Sequence, residues 1–215
     1  MKKCDIIIPV WNGIEYTKKC VRALKKCTRY PYRLIIVDNG SSGSVPGYLL
    51  GLKREFHDFL LITNTSNLGF VKAVNQGIVA SSSPYVLLLN NDTVVTDNWL
   101  GALVRTVESG PADLGIANPT SNVFGAKAGD GRPGEWQELD SCKGFAMLIK
   151  KDVIDKIGLF DEIYGMGYFE EKDFSMRAIK AGYTCVRAKG SFVFHKDKAS
   201  FDKLKDRDEI FKKNE

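Results

Sequence analysis

Asp92 follows an unbroken apolar run, Tyr85-Val-Leu-Leu-Leu89, and the pair Asn90-Asn91. A short run of Val and Leu without polar alternation reads as a strand buried on both faces. A carboxylate at the carboxyl end of such a strand stands where open α/β sheets place their ligands. There it can share a divalent cation with phosphate oxygens. It can equally serve as an N-cap or turn carboxylate, as can Asp97. The pattern recurs upstream. Ile6-Ile-Ile8 leads to Pro9-Val-Trp-Asn12, Leu34-Ile-Ile-Val37 to Asp38-Asn-Gly-Ser41, and Leu60-Leu-Ile62 to Asn64 and Asn67. Four apolar strands thus deliver polar tips to one edge, and such an edge suits a nucleotide and a metal.

Three further groups carry chemistry. Asp38 can accept a hydrogen bond from a base or ribose, or close an Asx turn on its own backbone. Phe169-Glu-Glu-Lys-Asp-Phe174 opens a helix with acids in its first turn, where the helix dipole favours them. Glu170 and Asp173 share a face, Glu171 points about a quarter turn away, and Asp173 can pair with Arg177. One acid of the group is a candidate general base whose pKa neighbours and burial would raise. His195 ends Phe192-Val-Phe194 and is either a structural hydrogen-bonder or a metal ligand beside Asp92.

The elements that must position these residues alternate through the first half, as in right-handed βαβ units. Helical spacing covers Glu15 to Cys27, Tyr48 to Phe56, Phe70 to Ala80 and Trp99 to Val107, and Leu114 to Ala117 is a strand. The glycine-rich stretch Ser121 to Gly134 predicts a mobile loop able to close over a ligand. A strand over Phe145 to Ile149, a helix over Lys151 to Ile157 and a helix over Phe169 to Ala181, stopped by Gly182, follow. Thr184 to Arg187 and Phe192 to His195 read as separate short strands.

The 215 residues suit one domain with a short appendage. No apolar stretch reaches membrane-spanning length, and nothing near Met1 resembles a signal peptide. Five cysteines, none in a CxxC pair, predict reduced thiols in a cytoplasmic protein. The net charge of +5 gathers between Lys18 and Arg33 and between Lys196 and Lys213. Either these are solvated helix faces, or they draw an anionic partner or a membrane surface. These charges are not interleaved with aromatics in the way a nucleic-acid groove needs.

Taken in order, these segments resemble an inverting glycosyltransferase of family two with the GT-A fold, akin to the rhamnosyl- and glucosyl-type bacterial transferases. Pro9-Val-Trp-Asn12 resembles the family's first nucleotide loop and Asp38-Asn-Gly-Ser41 its uridine-contacting turn. Asn67-Leu-Gly-Phe70 with Ala73, Asn75 and Gly77 resembles its N-x-G-F…A-x-N-x-G segment. Leu89-Asn-Asn-Asp92 stands at the DxD motif with one carboxylate. Gly144-Phe-Ala-Met147 and Ile157-Gly-Leu-Phe-Asp-Glu162 resemble the acceptor-side segment, and Phe169-Glu-Glu-Lys-Asp173 the ED-x-D region. His195 stands where many members keep a metal-binding histidine.

The resemblance implies a mostly parallel α/β sheet flanked by helices over residues 1–200, with 201–215 a charged helical tail that begins a longer extension. It implies nucleotide contacts from Pro9, Val10, Trp11, Asn12, Asp38, Asn67, Gly69, Lys72 and Asn91. Mn²⁺ or Mg²⁺ would sit on Asp92 and His195. Glu171 would be the base, with Glu170 as its alternative and Asp173 in support. The donor would be a UDP-sugar and the acceptor a hydroxyl of a glycan, lipid-linked or protein partner, with no nucleic acid. A nucleotidyltransferase would carry a basic glycine-rich loop where Trp11-Asn-Gly-Ile14 stands. A non-catalytic sugar-nucleotide binder is the other alternative.

Overall fold

The computed structural model describes residues 3–196 and 207–214. β1 (Cys4–Val10), α1 (Ile14–Cys27), β2 (Tyr32–Asn39), α2 (Val45–Gly51), β3 (Phe59–Asn64), α3 (Phe70–Val79) and β4 (Tyr85–Leu89) alternate as the hydrophobic pattern predicts. β1 pairs in parallel with β2 and β4, and β2 with β3. All four carboxyl ends therefore reach one edge. Alternate strand residues feed two apolar layers: Ile6, Ile8 and Leu34 pack with Leu24 of α1, and Ile7 and Ile35 with Val71 and Val74 of α3.

The chain continues through β5 (Thr93–Val95), α4 (Trp99–Ser109), β6 (Leu114–Thr120), β7 (Trp136–Glu138), β8 (Ala146–Lys150), α5 (Lys151–Ile157), α6 (Glu170–Lys180), β9 (Thr184–His195) and α7 (Arg207–Asn214). The sheet order is β3-β2-β1-β4-β8-β6-β9-β5, with β7 added on β9. Its second half is mixed rather than parallel. β8 runs antiparallel to both β4 and β6, and β5 and β7 run antiparallel to β9. The reason is topological. After β6 and the short β7, the chain returns to the carboxyl edge at Ala146, which pairs with Leu89. No helix carries it back across the sheet, so β8 must enter from that edge and run the other way.

Other departures from the sequence pattern are local. The second helix starts earlier, at Val45, because Pro46 suits its first turn, and it tightens into a 3₁₀ turn over Leu52–Arg54. Thr184 to His195 forms one strand, whose register against β6 slips between Ala188 and Phe192. β7 is an exposed edge strand without an apolar run to announce it. The glycine-rich segment is irregular but fastened: Phe124 packs on Phe145 and beneath the Arg187 guanidinium. Gly182 stands at φ 89° and ends α6 as expected. In the predicted tail, α7 is helical, and 201–206 and 215 lie outside the described residues. Among the described residues, the cysteines form no disulfide and no helix is long and apolar enough to cross a membrane.

At the opposite edge one carboxylate ties β1 to the turn before β4. Buried Asp5 accepts from Ser81 Oγ (2.7 Å), Ser82 N (2.8 Å), Ser83 N (3.0 Å) and Ser83 Oγ (2.7 Å). Burial alone would raise its pKa, but these bonds together outweigh burial and hold it below the ordinary value. The stability this lends is present above the unfolded-state pKa and fades as pH falls through the folded one. Asp5→Ala strands four donors and is expected to cost about 1–3 kcal/mol in denaturant unfolding at pH 7. Wild-type stability in that variant contradicts the assignment.

Candidate functional site

The carboxyl edge encloses a cavity of about 430 Å³. Pro9, Val10 and Trp11 reach it from β1, Asn39 from β2, and Asn91 and Asp92 from the turn after β4. Glu170 and Glu171 enter from the start of α6 and His195 from the end of β9. Asn67 also lines it. The sequence reading missed Asn39, Phe124, Phe145 and Tyr168 on its walls. Asn39 was legible as the residue after Asp38, and Phe145 as the neighbour of Gly144.

Asn39 is a hub. Its Nδ2 donates to Asn67 Oδ1 (2.8 Å) and Gly69 O (3.0 Å), and its Oδ1 accepts from Asn64 Nδ2 (3.0 Å) and Leu68 N (3.1 Å). This amide network rigidifies the turn between β3 and α3. Two glycines let backbones meet there. A Cβ on Gly40 (φ 75°) would stand 2.4 Å from Ser66 C, and one on Gly69 (φ 90°) 2.6 Å from Gly165 O. The second contact brings the turn before α3 against the segment before α6.

The other expected residues stand off the cavity walls. Asp38 is buried and its Oδ1 accepts from Ser41 N at 3.0 Å, so its side chain closes the turn on its own backbone. Asn12 Oδ1 accepts from Ser42 N at 2.9 Å, joining the turns after β1 and β2. Lys72 is exposed, 3.8 Å from a Glu162 carboxylate oxygen. Asp173 is held by Arg177 Nε at 2.8 Å, which leaves Glu170 and Glu171 as the acids facing the cavity.

β5 and β9 join the remaining pair. Thr93 is opposite His195 in their antiparallel register, and Lys196 N donates to Asp92 O at 3.2 Å. His195 Nε2 lies 3.3 Å from Asp92 Oδ1. Yet no hydrogen bond reaches that buried oxygen. The His195 ring stacks on Phe145 at 4.9 Å, and the Asn122 side chain grips its backbone through N and O, both at 2.9 Å. An orphaned carboxylate oxygen beside an imidazole fits a divalent cation, because a buried charge without a partner is costly. Among the described residues no group of three or more His, Cys, Asp or Glu residues could hold a metal. The pair alone would leave most positions of a divalent ion to other oxygen donors.

Glu170 is buried and its Oε2 also lacks a partner. Burial first, and then the charge of Glu171, push its pKa up to about 8. Burial raises Glu171 as well. Two adjacent carboxyls with little water do not both ionise cheaply. The more buried Glu170 is the member pushed furthest toward the protonated form.

The family model "Glycosyl transferase family 2" matches residues 5–158. The glycosyltransferase AglE of Haloferax volcanii is 25% identical over 196 residues, covering 86% of this chain and 64% of that protein. Among solved structures, GalNAc-T7 with UDP, GalNAc and Mn²⁺ superposes with a TM-score of 0.76 at 14% identity, over 91% of this chain and 44% of that one. S. aureus TarS 1–349 with UDP-GlcNAc gives 0.71 at 14% identity, over 97% and 64%. These likenesses show the GT-A fold. The chain spans less than two thirds of the length of the curated relatives it first matches.

The acid pair sets a pH dependence of stability. An unfolded glutamate ionises near 4.5, whereas folded Glu170 keeps its proton to about 8. The folded state binds more protons across that window, so stability falls as pH rises through it. Glu170→Gln removes the penalty. Its gain in Tm over wild type is expected to grow between pH 5 and pH 8 in thermal melts; a pH-independent difference contradicts the buried, protonated carboxyl.

Proposed function

The chain belongs to glycosyl transferase family 2, and on that premise we propose that it transfers a sugar from a nucleotide-diphosphate donor to a hydroxyl, inverting the anomeric carbon. One observation carries the reading. A single cavity holds Asp92 and His195 together with Glu170 and Glu171, although they lie far apart in the chain. UDP in the GalNAc-T7 structure and UDP-GlcNAc in the TarS structure support a UDP-sugar donor. The first also carries Mn²⁺, which supports a divalent ion.

Trp11, Val10 and Pro9 offer an apolar wall for the base, and Asn39 and Asn67 offer amides to its polar edge or the ribose. Asp38 acts through the turn it closes. Asp92 and His195 would hold Mn²⁺ or Mg²⁺. Such an ion, when bound, offsets the charge gathering on a departing nucleoside diphosphate.

Glu171 is the base. Its raised pKa makes it a better proton acceptor than an ordinary glutamate. It takes the proton of the acceptor hydroxyl. The oxygen attacks the anomeric carbon on the face opposite the nucleotide. The bond to the diphosphate oxygen breaks, and the nucleoside diphosphate leaves with the electron pair. Protonated Glu170 adds no second negative charge beside the nucleophile. Asp173, tied to Arg177, holds the helix. The acceptor is a hydroxyl on a glycan, lipid-linked or protein partner.

Incubation with UDP-, GDP- and dTDP-sugars and Mn²⁺ tests the reading. Release of nucleoside diphosphate that increases with a hydroxyl acceptor is expected. Pyrophosphate as product indicates nucleotidyl transfer, and donor binding without release indicates a non-catalytic binder. Glu171→Gln is expected to keep donor binding and lose about 10²–10⁴-fold in kcat. A variant with wild-type turnover refutes the base assignment.

A further inference from the structure

The helix bearing Glu170 and Glu171 starts from an unfavourable backbone. Tyr168 and Phe169 stand at φ 70° and 71°, a region that costs residues with side chains about 1–2 kcal/mol each. Such positions persist only where surrounding groups over-determine them. The clearest such group comes from α7. Asn214 Nδ2 donates to Tyr164 O (2.9 Å) and Gly167 O (2.8 Å), using both amide hydrogens, and lies 3.5 Å from Tyr168 O. Three residues earlier, the Phe211 ring meets Tyr168 edge-on at 5.4 Å and Phe169 at 5.2 Å. Spacing of i, i+3 brings both side chains to one face of the helix. Among the described residues, no α7 side chain lines the cavity, and the contacts of Asn214 and Phe211 run to the 164–169 turn. Tyr168 links that turn to the site directly, since it lines the cavity wall immediately before the acid pair.

We propose that α7 clasps this turn, and that Asn214 and Phe211 are positioning residues for Glu170 and Glu171. The proposal rests on the transfer reading for its kinetic consequence. The clasp itself is a structural claim that stands apart from it. With the two carbonyls engaged, the left-handed pair stays formed and the first turn of α6 keeps its carboxyls aimed into the cavity. Without them, the turn gains alternatives in which the base is misaligned.

The test uses the full chain. Asn214→Asp keeps the shape of the side chain, removes both donors and sets a carboxylate against carbonyl oxygens. It is expected to lower kcat about 10- to 100-fold, with the donor KM changed less than about twofold. Amide hydrogen exchange over 164–169 is expected to speed up in the same variant. Phe211→Ala acts in the same direction, and Asn214→Gln, which keeps the amide, recovers most of the rate. Wild-type kcat in Asn214→Asp, or a raised KM with kcat unchanged, overturns the positioning role. If wild type releases no nucleotide from any sugar nucleotide, the transfer reading fails, and exchange alone decides the clasp. Equal exchange in wild type and Asn214→Asp overturns it.

Discussion

Three residues of antiparallel pairing, Thr93–Val95 against Val193–His195, join the two halves of the molecule at its working edge. Asp92 lies in the turn after β4, the last strand of the parallel half, and His195 ends β9 in the mixed half. The pairing sets Oδ1 and Nε2 3.3 Å apart and leaves the carboxylate oxygen without a hydrogen bond. Phe145 and its neighbours support that contact from both sides. Phe145 backs the imidazole and in turn packs on Phe124. Phe145 O accepts from Asn90 N at 2.8 Å, so the same residue supports both partners.

The cavity is apolar for the most part and encloses more acid than base. Asp92, Glu170 and Glu171 face it, while Lys143 stands exposed at its rim. An unrelieved set of three negative charges in so little water would be costly. Two features relieve it. Glu170 holds its proton, and Asp92 is placed with an imidazole where a cation would complete the charge balance.

Much of this was legible in the sequence, for physical reasons that differ by region. β1 and β4 are buried on both faces, so Ile6-Ile-Ile8 and Val86-Leu-Leu-Leu89 are unbroken apolar runs whose polar ends mark the edge. The mixed half was harder to read. The direction of β8 depends on which edge the chain occupies after β6, and no local residue encodes that. β7 is exposed and short, so it carries no apolar signature. At the site, Asp92, His195, Glu170 and Glu171 were visible as acids and an imidazole at element ends. Asp38, Asn12 and Lys72 follow family positions, but here the first two spend their side chains on turns and the third faces solvent. The clasp of α7 was invisible, since Asn214 and Phe211 belong to no motif and act through backbone carbonyls.

The central claim, that Asp92 and His195 form one cation-holding pair, has a direct measurement. The chain contains two histidines, His57 and His195, and His57 is exposed at the far end of α2's connection to β3. Imidazole proton resonances can be followed while Mn²⁺ is added at substoichiometric amounts. The account predicts that the His195 signals broaden first and strongly, that those of His57 stay sharp, and that Asp92→Asn abolishes the difference. Equal broadening of both rings, or selective broadening that survives Asp92→Asn, contradicts it.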